Sequence, residues 1–197
     1  FCIREIPFSL INIDISGQFT THLYISFMAG FVMAFPYFIW EIWRFIKPAL
    51  TKGEISNSRG IVFATSLLFF MGVLFGYFVV SPLSINFLGS YQISEQVSNQ
   101  IGLGSFISTI TMLSFSSGLV FELPVAIFFL SKLGLVSPPF LRKYRKHSMV
   151  VILIISAVIT PSPDITSQIL VAIPLFLLYE VSIGVSAAVE RKRNKGN

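Results

Sequence analysis

Long apolar runs separated by short polar stretches dominate the pattern of this chain. A helix needs about 20 apolar residues to cross about 30 Å of hydrocarbon. The apolar runs predict membrane helices at residues 19–40, 61–80, 105–130, 147–160 and 165–189. The fourth run is the shortest, because Pro161 and Pro163 end it, so we expect a short hairpin with the fifth. The predicted fold class is an all-α polytopic membrane protein whose last two helices are short.

Basic residues divide unevenly between the two sides of the membrane when successive loops are assigned to alternate sides. All Lys and Arg residues except Arg4 fall in the loops 41–60 and 131–146 or in the tail 190–197. The positive-inside rule makes that side cytoplasmic. A re-entrant or interfacial fourth segment would destroy this segregation, so we expect it to cross. Residues 1–18 then end an extracytoplasmic loop, which implies one further helix upstream and six spans within a single membrane domain.

Composition supports a membrane protein and excludes several classes of site. Only 12% of residues are charged and the mean hydropathy is +0.79, whereas soluble domains carry about 25% charge. The net charge of +5 lies in short clusters between apolar runs, which predicts no nucleic-acid partner. Cys2 is the single cysteine, and His22 and His147 lie far apart. We therefore expect no disulfide within the chain, no metal site and no cofactor.

Enzymatic sites are poorly supported by the sequence. An intramembrane serine protease needs a Gly-rich loop beside its Ser and a His partner, but residues 115–118 read Phe-Ser-Ser-Gly. A metalloprotease needs paired His on one helical turn, and the chain has none. The serines of the third span are typical of helix packing. We predict that the protein is not an enzyme.

Glu122 is the sharpest candidate for a functional residue, because a carboxyl group within an apolar span is energetically expensive. Pro124 follows it and predicts a polar, kinked position in the helix. The alternative is a neutral Glu that makes a hydrogen bond between helices.

Two other acidic residues are weaker candidates. Glu180 lies nearer the cytoplasmic membrane interface, where a carboxylate costs little free energy. Asp164 is placed as a helix N-cap.

The first basic loop contains an unusual aromatic and charged string. Residues 43–50 read Trp-Arg-Phe-Ile-Lys-Pro-Ala-Leu, and Glu41 and Glu54 flank them. Aromatic and basic residues in this arrangement are typical of an interfacial helix. By composition alone, the acidic residues fit a solvated loop of mixed charge.

Several motifs together resemble the TatC family, the polytopic receptor subunit of the twin-arginine protein translocase. They follow the family's order from Gln18 to about Glu180. The matching motifs are Phe35-Pro36-Tyr37, the string 43–50 with Glu54, Phe121-Glu122-Leu123-Pro124-Val125, Leu141-Arg142-Lys143-Tyr144-Arg145, Thr160-Pro161 with Pro163-Asp164, Ser167-Gln168, and Ala172-Ile173-Pro174. Two features depart from the family: its first-helix His-Leu-Glu-Glu-Leu-Arg box is absent, and Glu41 stands where members often have Gln.

The resemblance implies a receptor in the bacterial cytoplasmic (inner) membrane that works with partner proteins. It would bind twin-arginine signal peptides of folded proteins, recruit single-span TatA/TatB-type subunits and form a homo-oligomer within the receptor complex. Export would be driven by the proton-motive force.

The resemblance also implies roles for individual residues. Glu54, Phe45 and Glu41 would bind the signal peptide, and Glu122 and Gln168 would meet a partner helix. Pro48, Pro124, Pro161 and Asp164 would shape the loops. Without the family, the alternative is an ion- or proton-coupled secondary transporter with Glu122 as its coupling site, although the chain shows neither repeated halves nor two broken helices.

Overall fold

The structure is a computed structural model, and it describes residues 10–46, 58–91, 100–160 and 165–195. The described elements are β1 (Leu10–Ile11), α1 (Gly17–Ile46), α2 (Ser58–Phe75), a π-helical turn (Gly76–Val80), α3 (Ser81–Ser90), β2 (Ile101–Gly102), α4 (Leu103–Phe121), α5 (Leu123–Lys132), α6 (Pro138–Lys143), α7 (Arg145–Ile159) and α8 (Ile165–Lys195). The chain is therefore mostly helical, as the apolar runs predict.

Four helical stretches are long and apolar enough to cross a membrane, within the part of the chain that the structure describes. They are Gly17–Phe45, Gly60–Ser90, Leu103–Lys132 and Ser167–Arg191. The remaining candidate, α7, has 15 residues and reaches only about 22 Å at 1.5 Å per residue. Its shortness agrees with the sequence, and its crossing of the bilayer stays a prediction.

The last helix corrects one expectation. Both final helices were predicted to be short, and this is wrong for α8, which has 31 residues and continues from Ile165 to Lys195. The predicted end at residue 189 marks where apolar residues give way to charge. A helix already anchored by packing gains one hydrogen bond for each residue added, and Arg and Lys are good helix formers. The helix therefore continues into the basic tail.

One compact unit of the chain comprises Phe1–Gly118, and aromatic rings fill its core. Phe35 of α1 stacks on Phe69 of α2 with ring centroids 3.6 Å apart. Phe115 of α4 meets Phe31 and Phe69 edge to face, at 5.5 and 6.2 Å. Such ring pairs add stabilisation beyond the area that they bury, and they hold α1, α2 and α4 together.

Two short strands tie the starts of two helices in the same unit. β1 pairs with β2 in parallel, with Leu10 opposite Ile101 and Ile11 opposite Gly102. β2 leads directly into α4, and β1 lies shortly before α1. The pairing therefore places the beginnings of α1 and α4 side by side.

The second compact unit, Leu119–Asn197, is organised around α8. One face of α8 is buried at positions three or four residues apart, which is the spacing of a single helical face. These positions are Val171, Leu175, Tyr179, Ser182 and Ser186. The hydroxyl groups of Ser131 in α5 and Ser186 lie 2.8 Å apart and form a buried hydrogen bond, so small polar residues join α5 to α8.

Candidate functional site

Glu122 occupies a break between two helices. Its backbone is satisfied, because its N–H donates to the Leu119 carbonyl at 3.1 Å and its own carbonyl accepts from Val125 and Ala126 at 3.0 and 2.9 Å. Both carboxyl oxygens are buried, and neither has a hydrogen-bond partner among the residues that the structure describes. Most buried polar groups in proteins are hydrogen-bonded, so an unpaired carboxyl group at this position is unusual.

Pro124 explains why the helix breaks at this position. Its ring would clash with the carbonyl four residues earlier in a continuous helix, and its nitrogen has no hydrogen to donate. Proline is tolerated in the first turn of a helix, and α5 begins at Leu123 with Pro124 in that turn. Glu122 takes the N-cap position, but its side chain makes no capping hydrogen bond. The backbone break thus presents the carboxyl group without using it.

Gln168 is engaged in packing between two helices. Its side-chain amide nitrogen donates to the Leu153 carbonyl at 3.0 Å, which joins the start of α8 to α7. A glutamine side chain has further donor and acceptor capacity beyond one bond. Because Glu122 has no partner among the described residues, no hydrogen bond connects it with Gln168.

The C-terminal end of α1 carries two of the residues assigned to signal-peptide binding. Glu41 and Arg44 form an ion pair at 3.6 Å across one turn. Phe45 is 87% exposed, whereas Trp43 is buried. An apolar cavity of about 200 Å³ lies along the preceding turns of α1 and reaches Glu41; its lining residues are Phe31, Ala34, Phe35, Tyr37, Phe38 and Glu41. This end of α1 therefore combines an exposed aromatic ring, an apolar recess and a carboxylate.

Four of the predicted site residues lie outside the described residues: Glu54, Pro48, Pro161 and Asp164. Their roles stay predictions. Within the described ranges, no three His, Cys, Asp or Glu side chains come together as a metal site.

Two neighbouring residues of α8 contact the end of α6 and the start of α7. Glu180 pairs with Arg145 at 2.5 Å. The Tyr179 hydroxyl donates to the Leu141 carbonyl at 2.8 Å. Sequence reasoning placed Glu180 near the interface without a partner and missed Tyr179. The sequence does contain a signal for this contact: a Tyr-Glu pair within an apolar run, and a run of basic residues before the preceding apolar segment.

Comparison with known proteins gives consistent matches. The family model described as Sec-independent protein translocase protein (TatC) matches residues 3–174. A Sec-independent protein translocase protein TatC from Blattabacterium sp. subsp. Periplaneta americana is 44% identical over 182 residues, which cover 92% of this chain and 68% of that protein. One from Carboxydothermus hydrogenoformans is 34% identical, and the match covers 98% of this chain and 79% of the other. A crystal structure of the twin-arginine translocase receptor TatC in DDM is 33% identical with a TM-score of 0.76, and the match covers 93% of this chain and 82% of that one.

Proposed function

The chain belongs to the TatC family of Sec-independent protein translocase proteins, and from this membership we propose that it binds twin-arginine signal peptides and recruits single-span partner subunits. The family is a translocase family rather than an enzyme family. This membership favours the receptor over the secondary transporter considered from the sequence. We place the protein in a bacterial cytoplasmic membrane, with its basic loops and C-terminus in the cytoplasm.

The unpartnered carboxyl group of Glu122 is the observation that carries the recruitment of partners. Its two oxygens are buried and have no hydrogen-bond partner among the described residues. A polar group left unsatisfied in an apolar environment is energetically unfavourable. A polar side chain on the single transmembrane helix of a partner would remove this penalty. A hydrogen bond between helices in lipid is worth about 0.6–2 kcal/mol, which suits reversible assembly.

The end of α1 supports the proposed signal-peptide surface. Arginine side chains prefer carboxylates, with which they form paired, charge-assisted hydrogen bonds. Glu54 would accept the twin-arginine pair on an otherwise basic face. Phe45, which is exposed, would pack against the apolar part of the signal or stack on a guanidinium group.

A binding experiment with two peptides tests this proposal. Full-length protein in detergent or nanodiscs is titrated with a labelled twin-arginine signal peptide and with the same peptide carrying two lysines. We expect the arginine peptide to bind more tightly, because lysine cannot form the bidentate contact. Equal binding of the two peptides would contradict recognition of the arginine pair.

A further inference from the structure

The turn that joins α6 to α7, residues 141–146, is fixed to α8 at two points. The Leu141 carbonyl accepts from Tyr179, and the Arg145 guanidinium pairs with Glu180. The backbone between these points is therefore held in one orientation.

Three cations of this segment are left free by the two contacts. Arg142, Lys143 and Lys146 are exposed, and none has an ion pair or hydrogen bond within the described ranges. The sequence has no Asp or Glu between Leu123 and Pro163. The turn therefore carries three positive charges that no carboxylate among the described residues pairs with.

An apolar stripe continues from these cations along α7. Lys146 is followed on the same helical face by Met149, Val150, Leu153 and Ile154, at the spacing of one face. These four side chains are 42–58% exposed. Cations at one end of an exposed apolar stripe match the shape of a phospholipid, which has an anionic phosphate above an acyl chain.

We propose that this turn, defined by Arg142, Lys143 and Lys146, binds the headgroup of an anionic phospholipid whose acyl chain lies along α7. Clusters of Lys and Arg at the end of a membrane helix attract anionic lipid headgroups. Phe140 and Tyr144, which are exposed and have ring centroids 4.6 Å apart, are the aromatic residues typical of a membrane interface. An acidic soluble protein would match the charge but would leave the apolar stripe uncovered. The proposal requires α7 to lie in the bilayer, as the proposed function does.

The test compares lipid preference between variants that lose equal charge at two places. The protein is placed in nanodiscs of phosphatidylcholine that contain spin-labelled phosphatidylglycerol or spin-labelled phosphatidylcholine. The fraction of each lipid that contacts the protein is measured by electron paramagnetic resonance. The test variants are Lys143→Gln alone and a triple variant with Arg142→Gln, Lys143→Gln and Lys146→Gln. A matched triple variant, Arg191→Gln, Lys192→Gln and Arg193→Gln, removes the same charge at the C-terminal end of α8.

We expect the preference for phosphatidylglycerol to fall about fivefold for each charge removed from the turn. The control triple variant should keep most of the preference. Equal losses in the two triple variants would overturn the proposal, because charge alone would then explain the preference. Excess inorganic phosphate should not displace the lipid. Displacement would mean that the turn binds anions in general, and it would overturn the proposal as well.

The same nanodiscs separate this inference from the proposed function. Twin-arginine peptide binding is measured beside lipid preference in each sample. Normal peptide binding without preference for phosphatidylglycerol in the unmodified protein would overturn only the lipid site. A lipid preference without discrimination between the arginine and lysine peptides would overturn only the receptor function.

Discussion

At the scale of single residues, Glu122 combines two features that seldom occur together. Its backbone is fully hydrogen-bonded at the helix break, yet its side chain is buried and unsatisfied among the described residues. The residue is thus held firmly by its backbone while its carboxyl group makes no hydrogen bond among the described residues. This arrangement fits a contact that forms and breaks during a transport cycle.

Substitutions at Glu122 separate an anchoring role from proton coupling. Gln keeps a carbonyl acceptor and adds an amide donor, so Glu122→Gln should retain much of the export activity. Ala and Leu should weaken contact with the partner helix by about 0.6–2 kcal/mol. We therefore expect export and cross-linking to the partner to decrease in the order Glu, Gln, then Ala and Leu.

Peptide binding is the control for this series, since the proposed signal surface does not include Glu122 and should be unaffected in all four proteins. A Gln variant that is inactive but still cross-links normally to its partner would contradict the anchor. That result would favour a carboxyl group that must gain and lose a proton.

Charge reversal tests Glu54 in the first basic loop. Glu54→Lys replaces attraction to the two arginines with repulsion, so peptide binding should weaken by about 2–4 kcal/mol. Glu190→Lys makes the same charge change near the C-terminal end of α8 and should have little effect. Fluorescence titration with the signal peptide measures both. Unchanged affinity in the Glu54 variant would remove this residue from the proposed surface.

A functional residue can be predicted from the sequence when the residues next to it in the chain mark it. Glu122 could be singled out because a carboxyl group in an apolar run and a proline two residues later are both visible in the sequence. The contacts of Tyr179 and Glu180 join residues 38 and 35 positions apart. No local pattern specifies such pairings, so they emerge only when α8 packs against α6 and α7.

At the scale of elements, the π-helical turn makes a close contact with the backbone of α4. A Cβ atom added at Gly76 would lie 2.6 Å from the Ser114 Cα and 2.8 Å from the Leu113 carbonyl oxygen. The Gly76 carbonyl accepts from the Ser81 backbone N–H and also from the Ser81 hydroxyl at 2.8 Å. The turn therefore lets two backbones approach without leaving the Gly76 carbonyl unpaired.

Gly76→Ala should disrupt this crossing. The new methyl group meets backbone, which cannot rotate away, and overpacking typically costs about 1–3 kcal/mol. Gly30→Ala is the matched control, because nothing lies within 4 Å of a Cβ at Gly30 and alanine favours the helix. Unfolding in mixed detergent should show a loss of stability for the first variant and none for the second. Equal stability of the two would mean that the crossing is looser than described.

Helix existence was easier to predict than helix ends. Apolar runs mark the part of a helix that lies in hydrocarbon, but hydrogen bonding continues beyond it. For this reason α1 extends to Ile46 and the second span continues through the π-helical turn to Ser90, beyond the predicted ends at 40 and 80. The π-helical turn itself has no sequence signature that we could use.

At the scale of the whole molecule, the length of α7 sets a constraint on the surrounding membrane. Its 15 residues span about 22 Å, against a hydrocarbon thickness of about 30 Å. If α7 crosses as proposed, the bilayer should thin beside it or another protein should cover it. Local thinning would shorten the path that a folded protein must cross.

Lengthening α7 tests this constraint. Inserting about four leucines, roughly one helical turn, in the middle of α7 should remove the mismatch. We expect membrane insertion to persist and export to fall. The same insertion beyond Lys195, outside the packed part of α8, should leave export unchanged. Full export with the longer α7 would contradict a role for the mismatch.

The pairing of β1 with β2 bears on whether the chain crosses a membrane an even or an odd number of times between the two strands. Leu10 and Ile11 lie beside Ile101 and Gly102, so these two points of the chain would share one face of a membrane that the helices cross. A path that leaves a face and returns to it must cross an even number of times. Among the described residues, two apolar stretches lie between these points, Gly17–Phe45 and Gly60–Ser90, and two satisfies the requirement. Backbone hydrogen bonds thus constrain the topology of the first unit independently of its charges.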